Sequence, residues 1–132
     1  MPADAFVDTN VLVYFTGQGE KASIAEAFIA AGSTISVQVL NELAAVWKRK
    51  YGYSWQQIRE ALLPLPKLLK VVPLTLDTHE LGLFVAERYQ LRIYDSLLLA
   101  AALEAGCTAF WSEDLHEGLV VERQLTIRNP FR

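Results

Sequence analysis

Four carboxylates in this sequence occupy positions where an acid is costly or uncommon, and they are the first candidates for chemistry. Asp8 directly follows Ala5–Val7, a short apolar run typical of a buried strand. Glu42 lies three residues after Val39 and four before Val46, so these side chains share one face of a predicted helix. A carboxylate on an apolar helix face is unfavourable unless it is paired or binds a metal ion.

The other two acids stand near the predicted ends of elements. Asp95 opens a strongly apolar helix predicted over 96–105, and Ser112 and Asp114 follow a strand predicted over Thr108–Trp111. Each acid has an ordinary alternative, since Asp95 could be only a helix N-cap and Asp114 only a turn residue. None of the four acids has an evident basic partner in the sequence.

Predicted strands and helices alternate along the chain. The predicted strands are Ala5–Val7, Thr34–Val37, Val71–Val72, Thr108–Trp111 and Leu125–Arg128. Helices are predicted over 22–31, Gln38–Lys50 and 96–105. A further predicted helix begins after Ser54 and is interrupted by Pro64 and Pro66. Another is capped by Asp77 or Thr78 and runs to Tyr89. This alternation predicts an α/β fold with a mainly parallel sheet and helices on both faces. Ligands of such sheets bind beyond the carboxyl ends of the strands, where Asp8, Ser112 and Asp114 would lie.

The bulk properties indicate one domain spanning residues 1–132. The chain is 52% hydrophobic, which is enough for a single core at this length. Cys107 is the only cysteine, so neither an intrachain disulfide nor a cysteine metal cluster can form. The first residues do not resemble a signal peptide, and the longest apolar run, Leu97–Leu103, is too short to cross a bilayer. We therefore expect a cytoplasmic protein.

The charge of the chain bears on the class of ligand. A net charge of −3 at pH 7 argues, on composition alone, against nucleic-acid binding. This objection weakens if several acids are committed to metal ions, because bound cations then set the local sign of the charge. The densest basic run, Lys48-Arg49-Lys50, fits either a solvated helix end or a phosphate contact.

Four segments together resemble the motifs of the PIN-domain family. They are Phe6-Val7-Asp8-Thr9-Asn10-Val11-Leu12, Asn41-Glu42-Leu43, Tyr94-Asp95-Ser96-Leu97 and Ser112-Glu113-Asp114-Leu115. Their order, their spacing and the total length are similar to those of VapC-type toxins of prokaryotic toxin–antitoxin pairs. The resemblance covers essentially the whole chain.

The resemblance implies a three-layer α/β/α fold and a ribonuclease that depends on Mg²⁺ or Mn²⁺. By analogy, the metal-binding and catalytic acids are Asp8, Glu42, Asp95 and Asp114, with Asn10 and Ser112 as supporting polar residues. Mg²⁺ prefers oxygen ligands and usually keeps waters that can serve as nucleophiles. Whether one or two ions act stays open; two would cancel the −4 charge of the acids, which repel one another when no metal is bound. His116 and Glu117 follow the fourth motif and are assigned no role.

The resemblance also implies an RNA substrate, a cognate antitoxin and a homodimer. The segment from Ser54 to Leu69 has more apolar side chains than one face of a small domain needs, so part of it is predicted to form the dimer contact. These side chains are Trp55, Ile58, Leu62, Leu63, Leu65, Leu68 and Leu69.

Three other classes of protein could use acids placed in this way. A phosphatase of the haloacid dehalogenase class needs a second acid two positions after the first, and here that position is Asn10. A receiver domain needs paired acids before its phosphorylated aspartate and a late lysine, and neither pattern is present. A catalytically inactive PIN-like module that binds nucleic acid or protein is the remaining alternative, although such a module would be expected to lose some of the four acids.

Overall fold

A central sheet of mainly parallel strands organises the molecule, as the sequence predicted. The computed structural model describes residues 4–132, and Met1, Pro2 and Ala3 lie outside the described residues. The strands are β1 (Ala5–Val7), β2 (Thr34–Ser36), β3 (Lys70–Val72), β4 (Ala109–Trp111), β5 (Val120–Val121) and β6 (Leu125–Arg128). Their order across the sheet is β3-β2-β1-β4-β6-β5. All neighbouring pairs are parallel except β5 with β6, and the short strand β5 was not predicted.

Seven helices connect the strands within the described residues. They are α1 (Thr9–Leu12), α2 (Glu20–Ala30), α3 (Val37–Arg49), α4 (Trp55–Leu62), α5 (Leu65–Leu68), α6 (Leu76–Tyr89) and α7 (Ile93–Glu104), and a 3-10 turn over Val13–Thr16 follows α1. The direction of the connections reverses after β3. Right-handed crossovers therefore place α6 and α7 on the opposite face of the sheet from α2 and α3, which gives the predicted three-layer α/β/α arrangement.

Local sequence explains where these helices begin. The Ser54 hydroxyl accepts a hydrogen bond from the Gln57 amide at 3.1 Å, and the Gln57 side chain accepts one from the Ser54 amide at 2.8 Å. This capping box starts α4 and confirms Ser54 as its N-cap. The predicted cap of α6 was wrong: Thr75, not Asp77 or Thr78, is the N-cap, because its hydroxyl accepts from the Thr78 amide one turn later.

The core is built from the sheet and the inner faces of the helices. Phe6 and Phe110 lie on neighbouring central strands and stack with their ring centroids 5.3 Å apart. Trp47 of α3 is fully buried and contacts Phe15 edge to face. Cys107, just after α7, is also buried. Its backbone amide donates a hydrogen bond to the Ala102 carbonyl, and its carbonyl accepts one from the Gln124 side chain. Burial raises the pKa of the Cys107 thiol.

The strand order leaves a crevice above the centre of the sheet. From β1 the chain proceeds to β2 on one side, whereas β4 pairs with β1 on the other side. Such a switch point, at the carboxyl ends of the strands, is where open parallel sheets bind ligands. Among the helices in residues 4–132, none has both the length and the apolar character needed to cross a membrane.

Candidate active site

Asp8 lies at the bottom of this crevice, at the carboxyl end of β1. Its backbone amide donates to the Trp111 carbonyl at 2.9 Å, which fixes it against the end of β4. The Asp8 side chain is only 4% exposed. Its Oδ2 accepts a 2.9 Å hydrogen bond from the hydroxyl of Ser112, itself fully buried at the end of β4. The two central strands thus deliver an acid and its hydrogen-bond donor to one point.

Asn10 joins the first and last motifs. Its amide nitrogen lies 3.1 Å from Ser112 Oγ, 3.3 Å from Asp114 Oδ2 and 3.4 Å from Asp8 Oδ2. Its carbonyl oxygen accepts the Glu113 amide at 3.0 Å. One side chain therefore ties the loop that carries Asp114 to the loop that carries Asp8. Asn10 and Ser112 thus both lie beside Asp8, and their supporting role in the site stays a prediction.

Glu42 reaches the same crevice from the middle of α3. The Thr9 hydroxyl donates to Glu42 Oε1 at 2.9 Å, and the Gln38 side chain donates to Oε2 at 3.0 Å. Both donors are uncharged groups, so neither forms an ion pair with the Glu42 carboxylate. The sequence pattern did not single out Thr9 or Gln38, although Thr9 next to Asp8 and Gln38 one turn before Glu42 are signals that could have identified them.

Asp95 is placed differently from the prediction. Helix α7 begins at Ile93 with Arg92 as N-cap, so Asp95 lies in the first turn and does not open the helix. The interpretation of Asp95 as merely an N-cap was therefore wrong. The expectation that it lacks a basic partner was also wrong, because Arg92 Nε lies 3.3 Å from Asp95 Oδ2. The Arg92 side chain is largely exposed, so solvent weakens this ion pair.

The four acids line one groove of about 970 Å³. Its walls also carry Asn10, Tyr14, Gln38, Asn41, Arg49, Lys50, Tyr51, Arg92, Tyr94 and Glu113. Arg49 and Lys50 belong to the basic run that the sequence left open between a solvated helix end and a phosphate contact. Their place in the wall puts both cations beside the acidic crevice, at the end of α3.

The electrostatics of the groove single out Asp8. Burial raises the pKa of Asp8 from 3.8 to about 7, and the negative charges of Asp95 and Glu42 also raise it, against the opposing hydrogen bond from Ser112. No cation is among the causes. The ionised form of Asp8 is therefore unfavourable in this environment, and binding of either a proton or a cation would stabilise the site.

Glu113 is the opposite case, although it lines the same groove. Burial alone would raise its pKa, but hydrogen bonds from Lys21 and Tyr14 lower it below the ordinary value. The Tyr14 hydroxyl donates at 2.6 Å, and Lys21 forms an ion pair with the same carboxylate. Lys21 already neutralises Glu113, so this fifth acid holds the loop in place and is poorly suited to a metal ion.

The donor set of the groove bears on whether a divalent cation fits. Among residues 4–132, no three or more His, Cys, Asp or Glu side chains form a group that could hold a metal ion. Mg²⁺, however, needs few protein ligands, because it usually keeps several waters and binds through one or two carboxylates. Asp8, Glu42 and Asp114 form no ion pair in the described part of the chain, and all are hard oxygen donors. The groove fits an ion held by one or two carboxylates and water.

Comparison with known proteins places this geometry in a family. The family model of the PIN domain matches residues 5–116. No curated protein matches the chain. A toxin–antitoxin complex from Klebsiella pneumoniae is similar in structure, with 20% identity, a TM-score of 0.72, and coverage of 96% of this chain and 97% of that chain.

Two further solved structures share the fold. VapC20 of Mycobacterium tuberculosis, a Sarcin-Ricin loop cleaving toxin, has 20% identity and a TM-score of 0.66 over 80% of this chain and 86% of that chain. VapBC2 of Rickettsia felis, bound to a DNA fragment from its promoter, has 21% identity and a TM-score of 0.64 over 95% of this chain and 97% of that chain. Because the family match spans most of the sequence and includes all four acids, the chain belongs to the PIN domain family.

Proposed function

We propose that this protein is a ribonuclease that hydrolyses RNA phosphodiester bonds with Mg²⁺ or Mn²⁺. The observation that carries the proposal is the groove at the switch point of the sheet, where Asp8, buried and without an ion pair in the described part of the chain, shares one lining with Glu42, Asp95 and Asp114. The groove has no histidine or cysteine in its described lining, so catalysis by those side chains finds no support there. VapC20, which shares the fold, is a Sarcin-Ricin loop cleaving toxin.

Each residue of the groove would have a distinct role in the proposed reaction. Asp8, with Glu42, Asp95 or Asp114, would hold the cation, and Ser112 and Asn10 would orient these carboxylates. A bound divalent ion supplies charge stabilisation for a phosphoryl oxygen and lowers the pKa of a water. Arg49 and Lys50 would bind neighbouring phosphates of the substrate, which offsets the net charge of −3. Because Asp8 is buried at the bottom of the groove, the access of bulk water to its carboxylate would be limited.

The test is cleavage of labelled RNA with and without Mn²⁺. We expect cleavage only with metal, and a loss of at least about 100-fold for Asp8→Asn, since removal of an outer partner of a metal ligand alone costs about 10–100-fold. Glu60→Gln, an exposed acid on α4 outside the groove, is the matched control and should keep full activity. Tight RNA binding without cleavage by wild type would support the inactive module instead.

We also propose an antitoxin as the protein partner. The Klebsiella pneumoniae and Rickettsia felis structures are toxin–antitoxin assemblies of the same fold. An acidic groove with an unpaired buried carboxylate favours a cationic segment, such as an arginine from the tail of the partner. Co-expression with the neighbouring open reading frame should yield a complex that does not cleave RNA. A complex that cleaves at the full rate would contradict this proposal.

A homodimer is proposed on the apolar surface of α4 and α5. Trp55, Leu63 and Leu68 are exposed there, whereas Ile58 and Leu65 of the same segment belong to the core. Exposed apolar side chains grouped on adjacent helices favour a protein contact. Sedimentation at micromolar concentration should show a dimer that Leu63→Asp dissociates. A wild-type monomer at that concentration would refute the proposal.

A further inference from the structure

We propose that Tyr94 and Tyr51 are base-stacking residues, which hold two unpaired nucleotides of the RNA in the groove beside the acids. The inference rests on the proposed function for the identity of the ligand. It goes beyond that function because it assigns two substrate-positioning residues and requires that the bound segment of RNA be single-stranded.

The first support is the exposure of both rings. Tyr94 is 63% exposed and Tyr51 44% exposed, and both line the groove. Aromatic side chains usually bury large areas, so two exposed rings facing one groove indicate a surface that a planar ligand covers. Every nucleobase has a flat face, and RNA-binding proteins stack unpaired bases on exposed tyrosines.

The second support is the way in which Tyr51 is held. Its ring contacts Tyr53 edge to face at 5.6 Å, and Tyr53 stacks on the buried Trp47 at 6.2 Å. The Tyr53 hydroxyl donates to Thr16 Oγ1 at 3.1 Å, which fixes the middle ring. Tyr51 is therefore the exposed end of a row of three rings anchored in the core. A ring that is already ordered loses little conformational freedom when a base stacks on it.

The third support is the position of each ring relative to the charges. Tyr94 immediately precedes Asp95 in the first turn of α7, and both residues line the groove. Tyr51 follows Arg49 and Lys50, and Arg49 lies roughly 10 Å along α3 from Glu42 at about 1.5 Å per residue. Aromatic rings interleaved with cations are the arrangement by which grooves hold single strands, with phosphates on the cations and bases on the rings.

Duplex RNA would not use these residues. In a duplex the bases are stacked on each other and paired, so their faces are unavailable to a side chain. The proposal therefore predicts that the two tyrosines contribute to binding of single strands and loops and contribute nothing to binding of a continuous duplex.

The experiment measures binding separately from cleavage. In an Asp8→Asn background, fluorescence anisotropy would give the Kd of short labelled homopolymers of each base, of a duplex, and of strands with one abasic site moved along the sequence. Tyr94→Ala and Tyr51→Ala should each weaken single-strand binding by at least about fivefold, since stacking on one ring is worth about 1–3 kcal/mol per base. Tyr94→Phe and Tyr51→Phe should stay within about twofold. Phe84→Ala, an exposed aromatic of α6 outside the groove, is the control.

The decisive readout is coupling between the ring and the base. When the abasic site removes the base that stacks on Tyr94, Tyr94→Ala should cause no further loss of affinity. Tyr51→Ala should likewise cause no further loss when the abasic site lies at a second position along the strand. Additive losses at every site, losses equal to those of Phe84→Ala, or no binding of any strand would overturn the stacking proposal. Cleavage by proteins that retain Asp8 is scored independently. If the ring and the base are coupled but wild type does not cleave RNA, the proposed nuclease activity is refuted and the stacking proposal holds. If wild type cleaves RNA but no coupling is found, the stacking proposal is refuted and the nuclease activity holds.

Discussion

Replacing Asp8 by asparagine should stabilise the metal-free protein at alkaline pH and destabilise it at acid pH. The Asp8 carboxyl has its pKa raised from 3.8 to about 7, mainly by burial. A folded-state pKa above the unfolded value means that the native protein binds more protons between these two values. Stability from this group is therefore complete below about pH 4 and is lost as the pH rises through about 7.

The magnitude follows from the two pKa values. A tenfold difference in proton affinity is worth about 1.4 kcal/mol, so the rise from 3.8 to about 7 corresponds to about 4 kcal/mol of unfolding free energy lost between about pH 4 and pH 8. The amide introduced by Asp8→Asn would not titrate, but it would be buried without full hydrogen bonding, which costs about 1–3 kcal/mol at every pH. Asp8→Asn should thus be more stable than wild type by about 1–3 kcal/mol near pH 8 and less stable by a similar amount near pH 4.

The assay is urea unfolding with a chelator present, for wild type and variant, at intervals from about pH 4 to pH 8. Glu113→Gln is the control of opposite sign. Because the pKa of Glu113 is lowered, its contribution is present at neutral pH and lost as the pH falls, so Glu113→Gln should be destabilising at neutral pH and nearly neutral in acid. A difference between wild type and Asp8→Asn that stays constant across the whole pH range would refute the reasoning.

Three further predictions concern metal, orientation and local stability. Mn²⁺ at about a hundredfold excess over its dissociation constant should raise the melting temperature of wild type by about 5–10 °C, since the linkage is worth about 2.7 kcal/mol, and an unchanged melting temperature would contradict the metal site. Asn10→Ala should lower the rate of RNA cleavage by about 10–100-fold, because it frees the loop that carries Asp114, and a change below about twofold would contradict this role. Ser54→Ala should lose about 1 kcal/mol of unfolding free energy, measured in urea, with cleavage unaffected; an unchanged midpoint would mean that the capping box of α4 does not contribute.

The periodicity of the apolar residues and the composition of the strands were sufficient to predict the sheet with helices on both faces. Ala5–Val7 was predicted to the residue, because a buried strand ending in an acid has few other interpretations. The boundaries failed where a cap depends on geometry. Thr75 and Asp77 are both good N-caps by type, and only the backbone conformation of Thr75 decides between them. Strand β5 has two residues and no periodicity, so nothing in its sequence announces it.

The roles of the four acids stay predictions, whereas their positions can be compared with the structure. Four acids could be selected because each was predicted to follow a strand, to open an apolar helix or to face the core side of a helix, and all four line one groove of the structure. The sequence could not predict how the surroundings of the individual acids differ. The sequence does not show that Lys21 neutralises Glu113 while no cation lies beside Asp8, because Lys21 is 92 residues away along the chain from Glu113. Contacts of that separation arise only from the packing of the whole domain.

The buried Cys107 makes the protein a reporter of its own breathing motions. The thiolate is the reactive form of cysteine, and burial both shields the Cys107 sulfur and raises the pKa of its thiol. A thiol reagent can therefore modify the chain only during openings that expose the buried segment between the end of α7 and the start of β4. The labelling rate, with a single cysteine and hence a single signal, would report how often the core opens at the amino end of β4, the edge of the sheet opposite the acids, without any RNA in the assay.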